Sequence, residues 1–62
     1  MIPLSQKMLA IRLNWDPKTI RSRGKIVVGT ASDGKVAWRE TWRRVDWEDG
    51  KLRFYERIKV ER

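Results

Sequence analysis

Cysteine and histidine are both absent from this 62-residue chain. Without cysteine there is no disulfide framework, and without either residue no Cys/His metal site. The lack of imidazole removes the usual acid–base group near neutral pH, so Ser5, Ser22 and Ser32 have no histidine to activate them. No metal, no cofactor and no catalysis is expected. A long hydrophobic run is missing too: no stretch approaches the roughly 18 apolar residues that a membrane span needs, and Met1 to Lys7 lacks the apolar core of a secretory signal. No membrane partner is expected, and the cytoplasm is the expected location.

What remains is short, apolar in patches and basic. A chain of this length forms one domain at most, 1–62, and buries only about 60% of the surface its unfolded form exposes. With disulfides and metals excluded, self-association is the favoured reinforcement, so a homo-oligomer is expected. Fifteen Lys and Arg face eight Asp and Glu, a net charge of +7. That balance suits a polyanion, and nucleic acid, DNA or RNA, is the expected partner. An acidic protein partner fits the same charge.

Three motifs punctuate the chain, Asp16-Pro17-Lys18, Asp33-Gly34-Lys35 and Asp49-Gly50-Lys51, with turn centres between residues 17 and 18, 33 and 34, and 49 and 50, a constant interval of sixteen. Asp-Gly between alternating stretches is a strong hairpin signal, because type I′ turns need positive φ and glycine adopts it without a Cβ clash. Read as three hairpins, they divide the chain into four strands of an antiparallel meander. The expected class is all-β: a small SH3-like or OB-like barrel, or a sheet stacked on its copy as a homodimeric sandwich. Gly24 and Gly29 are candidate sites for the bend that curling requires.

Two-residue loops dictate which residues oppose each other. Around Asp49-Gly50 the predicted pairs include Val45 with Phe54, Trp47 with Leu52, Asp46 with Arg53, Arg43 with Glu56 and Glu40 with Lys59. Alternation then sorts the side chains onto two faces. The expected core face carries Leu9, Ile11, Leu13, Trp15, Ile20, Ile26, Val28, Val45, Trp47, Leu52, Phe54, Ile58 and Val60. The opposite face carries Arg12, Arg21, Arg23, Lys25, Trp38, Trp42, Arg44, Arg53, Tyr55, Arg57 and Lys59, relieved by acids that include Glu40.

Those eleven residues are the predicted nucleic-acid site. Arg and Lys neutralise phosphates, and exposed Trp and Tyr offer platforms on which bases stack. Arg12, Arg23 and Arg44 are expected side by side with Tyr55. Glu40 and Glu56 fall on opposite faces, which precludes a carboxylate pair over one substrate. A second class of function is a small viral or plasmid-type protein-binding module that docks on a larger protein or assembly.

A different partition is also open. Gln6, Leu9-Ala10, Leu13-Asn14-Trp15, Pro17 and Thr19-Ile20-Arg21 resemble the helix-turn-helix pattern, with Asp16 as an N-cap and Pro17 at the first helical position. Val36-Ala37-Trp38-Arg39-Glu40 is similar to part of the small excisionase-like regulators after their wing. The resemblance implies an α+β winged-helix fold that binds DNA with Lys18, Thr19, Arg21 and Arg23 in the major groove.

Overall fold

The computed structural model describes residues 2–62. Along the chain lie β1 (Leu4–Ser5), α1 (Gln6–Leu13), α2 (Pro17–Ser22), β2 (Ile26–Ser32), β3 (Ala37–Trp47) and β4 (Leu52–Glu61). The strands form one antiparallel sheet in the order β1-β4-β3-β2. It curls as a half-barrel, with the two short helices against its concave side. None of the described helices is long and apolar enough to cross a membrane.

The β-rich, antiparallel expectation holds for residues 26–61, and the all-β class is corrected over residues 6–22. There the Asp16-Pro17 motif starts a helix instead of turning a hairpin. Asp16 has extended backbone and its carboxylate accepts the Lys18 N–H at 2.8 Å, while Pro17 occupies the first turn, where a missing N–H costs nothing. Ser5 caps α1 in the same way by accepting the Met8 N–H. At the other end of α1, Asn14 takes the left-handed conformation (φ 56°) and the Trp15 N–H returns to the Ala10 carbonyl, which closes the helix. The segment Asn14-Trp15-Asp16 thus joins two helices. The N-terminal strand is reduced to Leu4 and Ser5, and it pairs with β4 rather than lying beside β2.

The two Asp-Gly turns form where expected. Asp49 and Gly50 both have positive φ, as a type I′ turn demands, but Glu48 before them does too, and the ladder beyond the turn pairs Trp47 with Leu52, Val45 with Phe54, Asp46 with Arg53 and Arg43 with Glu56. A bulge between Thr41 and Trp42 then shifts the register by one residue of β4, so Glu40 faces Val60 and not Lys59. The Asp33-Gly34 turn is two residues longer than predicted, with Ser32 opposite Ala37. The Asp33 carboxylate accepts the N–H groups of Lys35 and Val36 and makes the wider loop self-sufficient.

Alternation along β2, β3 and β4 separates the faces as predicted as far as the bulge, beyond which Lys59 and Glu61 change to the face of Arg39 and Thr41, but the buried face is the other one. Val27, Ala31, Trp42 and Tyr55 form the core with Leu9, Ala10, Leu13 and Ile20 from the helices, and Leu4, Trp15 and Trp38 pack around them. Ile26, Val28, Trp47, Leu52, Ile58 and Val60, expected in the core, are exposed, as is Ile11 on α1. The helices account for the reversal. They carry their own apolar residues to the side bearing Trp42 and Tyr55, whose large ring areas repay burial once each polar tip is satisfied.

Candidate nucleic-acid interface

On β3 the alternation turns Trp38, Glu40 and Trp42 toward the helices. Glu40 is 0% exposed, and an isolated carboxylate there would be prohibitively costly. It is not isolated. Its Oε1 accepts Arg12 Nε at 2.8 Å and Trp42 Nε1 at 3.1 Å, while its Oε2 accepts Arg12 Nη2 at 2.8 Å, Trp38 Nε1 at 2.9 Å and Arg57 Nη1 at 3.1 Å. These donors, Arg12 first, hold the Glu40 carboxyl at a pKa of about 2 despite burial, which acts the other way. The Arg12 guanidinium is correspondingly raised by the same hydrogen bonds, and it lies 5.8 Å from the Trp42 ring centroid.

This cluster absorbs Arg12, Trp38, Trp42 and Arg57, four of the eleven residues of the predicted site. Trp42 and Tyr55 are 0% and 1% exposed, so neither offers a stacking platform to a base. Trp38 is half-buried with its indole N–H committed to Glu40, and Arg12 and Arg57 are committed there as well. Arg44 is also half-buried on this side. Its Nε lies 3.2 Å from Asp46 Oδ1 without the alignment of a hydrogen bond. The expected row of Arg12, Arg23 and Arg44 does not form: Arg44 pairs with Tyr55 in the ladder, while Arg12 sits on α1 and Arg23 caps α2. Arg53 is exposed opposite Asp46, and Lys59 is exposed but bonded to Glu61.

Sequence reasoning gave Glu40 a minor part, although a signal for it was present. Trp38, Glu40 and Trp42 share one face of one strand, and two indole N–H groups heading inward need an acceptor between them.

The remaining predicted cations, Arg21, Arg23 and Lys25, stand on α2 and the turn after it, with Lys18 one helical turn before Arg21. All four are exposed, and none makes an ion pair among the described residues. Lys7 adds a fifth: the Gln6 side chain donates to the Pro17 carbonyl at 3.0 Å and brings the first turns of α1 and α2 together. Between residues 7 and 25 six basic side chains meet one acid, Asp16, a net +5, or +4 once Arg12 is assigned to Glu40. The Arg23 guanidinium lies over Trp15, 5.2 Å from its ring centroid, which holds it at the surface.

A shallow open groove of about 420 Å³ lies at the far end of the sheet, lined by Thr30, Ala37, Trp38, Arg39, Glu61 and Arg62. Among the described residues no three His, Cys, Asp or Glu side chains gather as a metal site. Glu40 and Glu56 do lie on opposite faces of the sheet, Glu56 bonded to Arg43 on the outer one. No known family model matches the chain, nor does any curated protein or solved structure.

Proposed function

We propose that the protein binds nucleic acid through its helical side, as a small helix-turn-helix-type module acting on DNA in the cytoplasm. Lys18, Thr19, Arg21, Arg23 and Lys25 are the contacts. The observation that carries this reading is the set of exposed cations on α2 and the following turn, which no acidic side chain neutralises. Repulsion among them is unrelieved within the chain, and a phosphate backbone relieves it with release of counterions. The sheet takes no direct part, since Trp42 and Tyr55 are buried in the core and the Trp38 indole N–H is committed to Glu40.

Duplex DNA, single-stranded DNA and RNA oligonucleotides, titrated by fluorescence anisotropy across a salt series, test this. Four phosphate contacts give a log–log slope of about −3.6 on a duplex. Arg21→Ala and Arg23→Ala each lower that slope by about one, while Arg53→Ala leaves it unchanged. A chain that binds none of these oligonucleotides at low salt overturns the reading and assigns the cations to an acidic protein partner.

A further inference from the structure

Ile26, Val28, Trp47 and Leu52 on the outer face of the sheet are left exposed by the described residues, and yet this face is strongly patterned. In the β3–β4 ladder, Trp47 stands opposite Leu52, Val45 opposite Phe54 and Arg43 opposite Glu56. Trp47 is 53% exposed and Leu52 43%. Further along the same face, past the bulge, Arg39 stands opposite Glu61. Apart from Thr41 opposite Lys59, the rows of this face join two partners that attract: apolar with apolar, or cation with anion.

We propose that this face is a two-fold interface with a second copy of the chain, the axis lying in the interface and running along the seam between β3 and β4. Rotation about that axis exchanges β3 with β4, so each side chain meets the ladder neighbour of its own counterpart. Trp47 of one copy meets Leu52 of the other, Val45 meets Phe54, Arg43 meets Glu56 and Arg39 meets Glu61. An isologous contact requires a surface complementary to itself, and such row-by-row matching supplies it. Face-to-face sheets stack about 10 Å apart with strands within about 30° of each other, and a two-fold that bisects this angle keeps the rows aligned.

The apolar area continues on both sides of the seam. Ile26 and Val28 extend it over β2, and Ile2 and Pro3 line a shallow hollow of about 200 Å³ with Trp47 and Phe54. A nucleic acid is a poor occupant, because Arg43 and Lys59 on this face are already paired with Glu56 and Glu61. Arg43 and Glu56 bond each other within the chain, so a partner of one charge sign repels one member of the pair as it attracts the other. The helices end up on the outside of the pair, so its two α2 surfaces point away from each other.

The patch of three strands, about 26 Å by about 14 Å, makes a small interface, and association is expected in the micromolar range. Sedimentation equilibrium of the full chain without nucleic acid, from about 5 to about 500 µM, is expected to show the mass rise from 7.4 kDa toward twice that value. Arg43→Glu and Glu56→Arg each place like charges across the axis, and each alone is expected to stay at 7.4 kDa. Mixed one to one they regain the double mass, because the carboxylate introduced at position 43 of one copy then meets the guanidinium introduced at position 56 of the other. Loss of the bond within one chain cannot be repaired by mixing. Should either charge variant fail to fold, Trp47→Glu, at an exposed site, is expected to give a folded monomer by circular dichroism. A wild-type chain that stays monomeric throughout, a mixture of folded charge variants that does not associate, or an unweakened Trp47→Glu dimer overturns the proposal. Because no nucleic acid is present, the result is independent of the function proposed above.

Discussion

Arg12 and Glu40, 28 positions apart, meet through two parallel hydrogen bonds of 2.8 Å that tie α1 to the middle of β3. Arg57 of β4 and the indoles of Trp38 and Trp42 complete the shell around the same carboxylate. A well-packed hydrophobic substitute for a buried ion pair is often as stable, but removal of one member strands the others.

Glu40→Ala is therefore expected to cost about 3–5 kcal/mol, a large share of the roughly 5–15 kcal/mol typical of a whole domain. Two arginines and two indole N–H groups lose their acceptor at once. Urea unfolding followed by tryptophan emission measures this, and a variant as stable as wild type would show that water replaces the carboxylate without penalty.

Acid should act through the same group. Glu40 is lowered from its ordinary 4.5 to about 2 in the folded chain, so the unfolded state takes up the proton first as pH falls. Its contribution is fully present above about pH 4.5 and is lost as pH falls through about 2, amounting to about 3 kcal/mol. Melting temperatures recorded from pH 6 to pH 2 should fall progressively below pH 4.5. In a folded charge-neutral variant such as Glu40→Gln, this part of the slope should vanish. A slope identical in both proteins would place the acid sensitivity elsewhere.

Gly29 lies in the ladder opposite Glu40, against the side chains of Leu13 and Trp15. A Cβ at this position would sit 2.8 Å from Leu13 Cδ1 and 3.2 Å from Trp15 Cζ2. Gly29→Ala should destabilise by about 1–3 kcal/mol through overpacking, despite the ordinary preference of a strand for alanine over glycine. Chemical denaturation gives the value, and a stabilised variant would mean that Leu13 moves aside freely. The glycine thus serves a close approach of helix to strand, not the bend expected of it.

Arg12 and Arg21 offer a direct contrast between an interior and a surface cation. Arg12→Met should lower the melting temperature by several degrees, since about 1 kcal/mol shifts a domain of this size by about 4–8 °C, and its folded fraction should keep the salt slope on DNA. Arg21→Met should leave the melt within about 0.5 kcal/mol of wild type and reduce the slope. Equal effects of the two on both readouts would erase the distinction between the Glu40 cluster and the α2 surface.

A smaller test concerns the junction of the helices. Asp16→Ala removes the cap on Lys18 and should cost about 1 kcal/mol, visible as a loss of helical signal in circular dichroism that Asp16→Ser largely restores.

Local chemistry was enough to specify a good deal of this protein. The Asp49-Gly50 turn and the pairings from Trp47 with Leu52 to Arg43 with Glu56 follow from φ preferences and a period of two, as does the division of β2 to β4 into two faces up to the bulge at Thr41 and Trp42. The capping signals of Asp16 and Pro17 were equally plain, but a turn residue serves hairpin and helix alike, and nothing within residues 5–24 weighs one against the other. Packing between distant elements chose which face is inside. Each face carries enough apolar surface to serve, and the choice lies in where Leu9, Leu13 and Ile20 find something to cover. Glu40, which looked like a charge on an open surface, became a buried anchor because its two arginines arrive from distant parts of the chain. Burial energy depends on what lies above a side chain, and a strand's own sequence holds no record of that layer.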